Sequence, residues 1–150
     1  MARRLLLAAA LCAALLTAGC GSELSVDEYP TVRGTEVNCK GLFADRPLKV
    51  AGQKNRMVKG ENASAWGDPA IILRCGVEKP KDLGPASRCD MVDDVGWFSE
   101  TTSDGYLFTT IGRDYYVSVE VPDDYAPEAD ALADLADSVA RHDPVKKPCV

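Results

Sequence analysis

The sequence predicts an α+β fold, in which an antiparallel β meander carries a short N-terminal helix and a C-terminal helix on one face. Apolar and polar residues alternate from 115 to 121, a pattern typical of a half-buried strand. The Asp104-Gly105 pair separates two apolar runs, which favours a hairpin turn. Near the C-terminus an apolar stripe recurs at helical spacing, and it consists of Leu132, Leu135, Ala136 and Val139. Such a stripe must be covered, and the apolar face of the sheet is the expected partner.

One short helix and one strand are predicted before residue 76. The helix is indicated by a shared apolar face, made by Cys39, Leu42 and Phe43. Thr35 is placed to cap its start, and Pro47 ends it. Residues 48–58 are basic with isolated apolar residues and indicate no definite element, and residues 60–69 are loop-like. The nearly continuous apolar run at 70–75 predicts a central strand.

The second half of the chain is predicted to be rich in β structure. Strands are expected at 95–101, 106–111 and 115–121, with turns at 102–105 and 112–114. The valines of the third strand are expected to face the core, and its serine and glutamate to face water.

The C-terminal helix is predicted from its ends as well as from its stripe. Pro127 suits the first turn, and Glu128 complements the N-terminal end of the helix dipole. Arg141 and His142 complement the C-terminal end. The face opposite the stripe is acidic, and it carries Asp130, Asp134 and Asp137.

Residues 1–19 have the order of a secretory signal peptide. Arg3 and Arg4 give a positive start, an apolar stretch follows, and small residues lead to Cys20. The apolar stretch of about a dozen residues is too short to span a bilayer, which takes roughly 20. Residues 16–20 resemble the lipobox of bacterial lipoproteins, in which the thiol is acylated and the chain is cut before it.

The lipobox interpretation divides the chain into three parts. Residues 1–19 are expected to be removed, residues 20–34 to form a tether lipidated at Cys20, and residues 35–150 to form one α+β domain outside the cytoplasmic membrane. Cleavage without lipid attachment is the alternative, because Thr17 stands where lipoboxes more often carry leucine.

The charge balance narrows the classes of partner. The chain has 17 basic and 23 acidic residues, and its net charge of −6 becomes −8 when Arg3 and Arg4 leave with the leader. An acidic body repels phosphate backbones and anionic headgroups. Nucleic-acid binding and peripheral electrostatic membrane binding are therefore both disfavoured.

Four of the six cysteines remain after Cys12 leaves with the leader and Cys20 takes the lipid. An even number in an exported domain predicts two disulfides, and four cysteines allow three pairings. The favoured pairing joins Cys75 to Cys89 across the proline-containing loop 76–88, and Cys39 to Cys149 across the domain. Zinc sites favour close cysteine pairs, which the sequence lacks, so neither a metal nor a cofactor is predicted.

Four segments together resemble a known family. They are residues 66–76, 95–98, 109–113 and 119–125. The resemblance is to an actinobacterial family of small lipoproteins known as a domain of unknown function, number 3515, and it covers nearly all of residues 35–149. It implies a lipoprotein of the cell envelope and supplies no activity and no catalytic residues.

Catalytic chemistry finds little support in the sequence. The only histidine, His142, is expected to act as a cation at a helix end, and no Gly-x-Ser-x-Gly elbow is present. Carboxylates crowd two segments, with Asp90, Asp93 and Asp94 in one, and Asp123 and Asp124 in the other. Both are interpreted as solvated turns or helix starts, and no catalytic residue is predicted.

The candidate binding surface comprises three aromatic residues, Trp66, Trp97 and Tyr116, together with Asp68. The alternative is that these aromatics fill the core. The expected function is a non-catalytic binding or accessory module of the cell envelope, attached to the membrane by lipid. Its partner would be an envelope protein or a wall component. A small carboxylate-dependent hydrolase and a structural subunit of a membrane complex are the alternatives.

Overall fold

A computed structural model describes residues 23–60 and 62–149. Within them, eight antiparallel strands form one sheet that carries two helices. The elements are α1 (Glu36–Ala44), β1 (Lys49–Val50), β2 (Gln53–Arg56), β3 (Ala63–Trp66), β4 (Ile71–Val77), β5 (Asp90–Val92), β6 (Val95–Thr101), β7 (Gly105–Thr110), β8 (Tyr116–Pro122), a 3₁₀ turn (Asp123–Tyr125) and α2 (Ala129–His142). The sheet with its C-terminal helix agrees with the predicted α+β class.

The sheet is two meanders joined at the centre, and this corrects the expectation of a single meander. Its strand order is β1-β2-β3-β4-β8-β7-β6-β5, so β4 pairs with β8 and β5 lies at the far edge. β4 and β8 are each seven residues long and mostly apolar, and central positions of a sheet bury such strands best. The connection from β4 to β5 therefore crosses to the opposite edge.

Strands were best predicted where the alternation was clear. β6 has the predicted bounds, and β4, β7 and β8 differ from the predictions by one or two residues. The loop expected at 60–69 is wrong, because it contains β3. β3 reads Ala-Ser-Ala-Trp, which has little periodicity of its own, and it becomes a strand by pairing with β4.

The core lies between the sheet and the helices. The predicted stripe of α2 is buried, and so are the valines of β8, Val117, Val119 and Val121. All three aspartates on the opposite face of α2 are exposed. The other face of β8 was expected to meet water, but Ser118 is buried. Tyr29 and the loop after β4 contribute to a groove over that face, which explains the difference.

α1 and α2 are held together at the C-terminal end of each helix. The Ser138 hydroxyl donates to the Asp45 carbonyl oxygen over 2.8 Å, and the Asp45 carboxylate lies 2.9 Å from the Arg141 guanidinium. The His142 ring reaches the same carboxylate at 3.3 Å and packs over Gly41, where any side chain would collide with it. The only histidine is thus part of a helix–helix contact.

Two of the predicted helix caps are corrected. The Thr35 hydroxyl donates to the Val32 carbonyl oxygen over 2.7 Å and makes no capping bond to α1. Asp123 and Asp124 form the 3₁₀ turn before α2, and the helix begins after Glu128 without a side-chain cap. Asp45 ends α1 before Pro47 is reached.

Residues 23–34, which were expected to form most of the tether, lie against the domain. The Leu24 amide donates to the Met57 carbonyl oxygen over 2.8 Å, and the Val32 amide donates to the Gly76 carbonyl oxygen over the same distance. Gly76 has a φ of +72°, and a side chain there would collide with Thr35. A glycine at this position therefore lets the segment pack directly on β4.

Tyr29 is the central contact of this segment. Its hydroxyl accepts a hydrogen bond from the Cys75 amide over 3.1 Å and donates to the Asn62 carbonyl oxygen. The Arg74 guanidinium lies 5.9 Å from the centre of its ring, within the range of a cation–π contact. Burial raises the pKa of the Tyr29 hydroxyl, so it stays neutral and keeps these bonds.

The two disulfides join Cys39 to Cys75 and Cys89 to Cys149. The four cysteines were predicted to pair, but the favoured pairing is wrong. α1 packs against β4, which places Cys39 and Cys75 with their Cα atoms 5.5 Å apart. Cys75 is therefore unavailable to Cys89, which binds the C-terminal segment instead.

Among the described residues, no helix combines the length and the apolar character needed to cross a membrane.

Replacing Cys39 and Cys75 together by alanine is expected to lower the free energy of unfolding by about 4 kcal/mol. The bond closes a loop across 36 positions and so lowers the conformational entropy of the unfolded chain. Without it the unfolded state gains entropy and becomes more favourable. Denaturant unfolding of parent and variant measures the difference. Non-reducing peptide mapping serves as the control, and a peptide joining Cys75 to Cys89 would contradict the observed pairing.

Candidate functional site

An open cleft of about 490 Å³ lies beside the N-terminal end of α1. Four parts of the chain meet there: residues 32–34, the start of α1, the end of β4 and the start of β8. The charged, amide and tyrosine side chains in its lining are Arg33, Asn38, Lys79, Asp114, Tyr115 and Tyr116. It is therefore a partly aromatic cleft with charged side chains in its lining, built from segments that the sheet centre brings together.

Two basic side chains form the rim of the cleft. Arg33 comes from the docked N-terminal segment, and Lys79 comes from the loop after β4. Both are exposed, and within the described part of the chain neither forms a salt bridge. The acid of the cleft, Asp114, pairs with Lys146 at 3.1 Å. The rim thus offers two cations to an anionic ligand.

The wall of the cleft is formed by two tyrosines with different roles. Tyr115 is buried, and its hydroxyl donates to the His142 carbonyl oxygen over 3.1 Å. Burial and the nearby Asp143 carboxylate raise the pKa of Tyr115, so this hydroxyl stays protonated. Tyr116 is only partly buried and can present its ring to a ligand. Aromatic side chains of this kind add contact area at low entropic cost.

Behind Tyr115 lies a buried ionic cluster. Asp143 is 1% exposed, and its carboxylate accepts the Asp114 amide over 3.0 Å. The Arg113 guanidinium donates to the carbonyl oxygens of Asp143 and Asp94. One carboxylate oxygen of Asp143 and the Nε of Arg113 are buried without a hydrogen-bond partner among the described residues. The cluster joins the end of α2 to the turn before β8.

Burial raises the pKa of the Asp143 carboxyl to about 6. Hydrogen bonds from backbone amides at Asp114 and Tyr115 and the charge of Arg113 oppose the rise, but they are weaker than the cost of burial. Burial likewise lowers the pKa of the Arg113 guanidinium. This arrangement acts on stability, because the carboxyl is sealed in the interior and does not open into the cleft.

The structure separates the four predicted surface residues. Trp66 and Trp97 are fully buried, so neither belongs to an exposed binding surface, which corrects that expectation in favour of the core alternative. The Trp66 indole donates to the Pro47 carbonyl oxygen over 3.0 Å. Asp68 is exposed and pairs with Arg56 at 3.1 Å. Tyr116 alone of the four lines the cleft.

The carboxylate-rich segments form turns. Asp93 and Asp94 have φ values of +43° and +63° in the tight turn between β5 and β6. Asp90 forms an ion pair with Arg88 at 2.6 Å. Across residues 23–60 and 62–149, no group of three or more His, Cys, Asp or Glu side chains has the arrangement of a metal site.

Sequence reasoning missed Arg33 and Lys79. Arg33 lies in the segment expected to be a tether, and Lys79 lies in a loop expected to be irregular. Their proximity depends on the docking of Val32 on Gly76, which no local pattern indicates. The lipidation residue Cys20 and the leader, residues 1–19, lie outside the described residues.

The fold and the cleft define a small α+β domain whose cleft has basic side chains at its rim. A family model described as "Protein of unknown function (DUF3515)" matches residues 2–148, and the chain belongs to this family. No curated protein and no solved structure matches the chain.

Asp143→Asn is expected to stabilise the protein at pH 8 by about 1–3 kcal/mol relative to the parent. Since the folded-state pKa is raised to about 6, the protonated carboxyl favours folding, and that contribution is lost as the pH rises through 6. Asparagine cannot ionise and keeps an oxygen for the Asp114 amide. The gain should therefore shrink towards pH 4, which unfolding curves at several pH values measure.

Asp137→Asn is the matched control for this prediction, because Asp137 is exposed on α2, the helix that Asp143 directly follows. If the difference in unfolding free energy between Asp143→Asn and the parent were the same at pH 8 and at pH 4, the assignment of a raised pKa would be contradicted.

Proposed function

We propose that this protein is a lipoprotein of the actinobacterial cell envelope, anchored through Cys20, whose cleft binds an envelope component without chemical conversion. The observation that supports the anchor is the order of segments at the start of the chain: a charged start, an apolar stretch, small residues and then a cysteine. The two disulfides support export, because such bonds persist in oxidising compartments and are rare in the cytosol. Two acyl chains on one cysteine suffice for stable attachment.

The cleft supports the binding part of the proposal. Arg33 and Lys79 leave two cationic groups at its rim, and Tyr116, at the start of β8, adds an aromatic surface. A guanidinium recognises carboxylate or phosphate through paired hydrogen bonds, and an ammonium adds a point charge. The ligand class that fits is an anionic group carried by a wall component or an envelope protein.

The geometry of the cleft gives less support to the hydrolase alternative. It requires a carboxyl group with a raised pKa inside an accessible pocket. Asp143 has the raised pKa, but its side chain is buried behind Tyr115. Glu100 also has a raised pKa from partial burial and from Asp82, yet it lies in a different groove from the cleft.

The anchor is tested on the protein made in a bacterial host that processes lipoproteins. Mass spectrometry of the membrane fraction is expected to find a mature chain that begins at Cys20 and carries diacylglyceryl on its sulfur. Cys20→Ala should abolish this modification, whereas Cys12→Ala, the matched control within the leader, should leave it intact. A membrane-associated parent chain without acyl groups on Cys20 would contradict the anchor.

The cleft is tested by charge reversal at its rim. With a photo-crosslinking residue at position 116, Lys79→Glu and Arg33→Glu are each expected to lower capture of the partner in intact cells at least fivefold, because an anion is repelled. Lys81→Glu is the matched control, since Lys81 is exposed two residues away and does not line the cleft.

Equal capture by the parent and both rim variants would contradict ligand binding in the cleft. If a membrane protein were captured through a different surface, and the two rim variants captured it as well as the parent, the structural-subunit alternative would be favoured.

A further inference from the structure

One edge of the sheet of this acidic chain carries a cluster of basic residues. Residues 46–59 contain five lysines and arginines and no acid, whereas the whole chain has 23 acidic against 17 basic residues. They form β1, which is an edge strand, its neighbour β2, and the residues on either side. We call this surface the basic edge, and it consists of Arg46, Leu48, Lys49, Lys54 and Met57.

The hairpin at the basic edge holds two lysines directly opposite each other. Lys49 of β1 pairs with Lys54 of β2, and both side chains are exposed. Neither forms an ion pair with any acid in the part of the chain that the structure describes. Like charges in directly opposite positions destabilise a strand pair. A bound anion would remove that repulsion.

Two large apolar side chains at the same edge are exposed. Leu48 is 85% exposed and Met57 is 69% exposed, and they are the two most exposed large hydrophobic residues described. The Asn55 amide donates to the Leu48 carbonyl oxygen over 3.1 Å. Leu48, just before β1, and Met57, just after β2, therefore lie at the open end of the hairpin, away from its turn.

The N-terminal segment reaches the domain at this open end. The Leu24 amide donates to the Met57 carbonyl oxygen over 2.8 Å, and the Lys59 amide donates to the Leu24 carbonyl oxygen over 2.9 Å. Leu24 follows Cys20 by four positions, a length of chain that spans at most about 14 Å. A lipid on Cys20 would therefore hold the open end of the hairpin close to the membrane surface.

We propose that the basic edge docks on the anionic surface of the lipid bilayer, with Leu48 and Met57 entering the headgroup region and Lys49 and Lys54 contacting lipid phosphates. This inference rests on the proposed anchor at Cys20. Exposed apolar side chains flanked by lysines are the combination that binds an interface, since each part contributes to the same attachment. A soluble anion or a wall polymer would use the cations but not the two apolar residues.

The net negative charge of the chain does not oppose this contact. At physiological salt, charges act over a Debye length of about 8 Å, so the local residues determine the interaction. Of the basic residues in this stretch, Arg56 is engaged by Asp68. Lys59 shares a cavity with Asp27 and Glu28, so the contact depends on Lys49 and Lys54. The carboxylate of Asp134 lies at the other end of the hairpin, where it accepts the Ala51 amide over 2.8 Å.

Tryptophan quenching by brominated lipids measures the contact in the lipidated protein, reconstituted in vesicles of phosphatidylglycerol and phosphatidylcholine. Leu48→Trp is expected to be quenched at least twofold more than Met91→Trp. Met91 is the matched control, because it is 54% exposed on β5, at the opposite edge of the sheet. The native Trp66 and Trp97 are buried and give the background, measured on the parent.

The charge requirement is tested in the Leu48→Trp protein. Lys49→Glu with Lys54→Glu should lower its quenching at least twofold in vesicles that contain phosphatidylglycerol, but not in pure phosphatidylcholine. Lys81→Glu with Lys147→Glu changes the net charge equally at exposed positions elsewhere and should have no effect.

Mass spectrometry of the same sample separates the two proposals. If Cys20 carries acyl chains and Leu48→Trp is quenched no more than Met91→Trp, the basic edge is overturned and the anchor stands. If Cys20 is unmodified, both are overturned. Equal quenching of Leu48→Trp in anionic and neutral vesicles would overturn the role of the lysines. If the basic edge binds a protein or a wall polymer instead of lipid, the tryptophan at position 48 stays unquenched, and this would overturn the membrane contact.

Discussion

The antiparallel pairing of β4 with β8 is the interaction on which the rest of the structure depends. It joins two four-stranded meanders into one sheet, and its register places Leu73 beside Val119 at the centre of the core. Both strands are buried on the face beneath α2. Without this pairing each meander would have an additional open edge and only half of a core, which is rarely sufficient for a stable domain.

The end of β4 connects this pairing to the cleft. Cys75 belongs to the sheet, bonds to α1 through its sulfur and donates its amide to the Tyr29 hydroxyl. At Gly76 the register between β4 and β8 shifts, and the N-terminal segment packs closely against it. One short stretch of strand thus determines where α1, the docked segment and the start of β8 meet, and the cleft lies at their junction.

The sequence predicted those parts of the fold that carry their own periodicity. The alternation in β8 and the stripe of α2 identified the core faces, since each pattern records burial directly. β3 and the disulfide pairing could not be predicted, because both follow from which strands become neighbours. Trp66 had been considered for a surface because it stands beside glycine and proline, yet pairing of β3 with β4 places it inside.

The candidate site was predicted less well for the same physical reason. Only Tyr116 of the four predicted surface residues lines the cleft, whereas Arg33 and Lys79 come from segments without a pattern. Net charge is an average over the whole chain, whereas five of the 17 basic residues fall within residues 46–59, which contain no acid. A total of −6 describes the solution behaviour of the protein but not the field at β1 and β2.

The basic edge and the cleft are related through one segment of chain. Residues 24–32 are bonded to Met57 at one end and to Gly76, beside the cleft, at the other. Hydrogen bonds at both ends, and through Tyr29 between them, hold this segment against the domain. Because the nine residues cannot exceed roughly 32 Å even when extended, the cleft must remain near whatever surface the edge contacts. Under the proposed anchoring at Cys20, a ligand in the cleft would belong to the layer of the envelope immediately next to that surface.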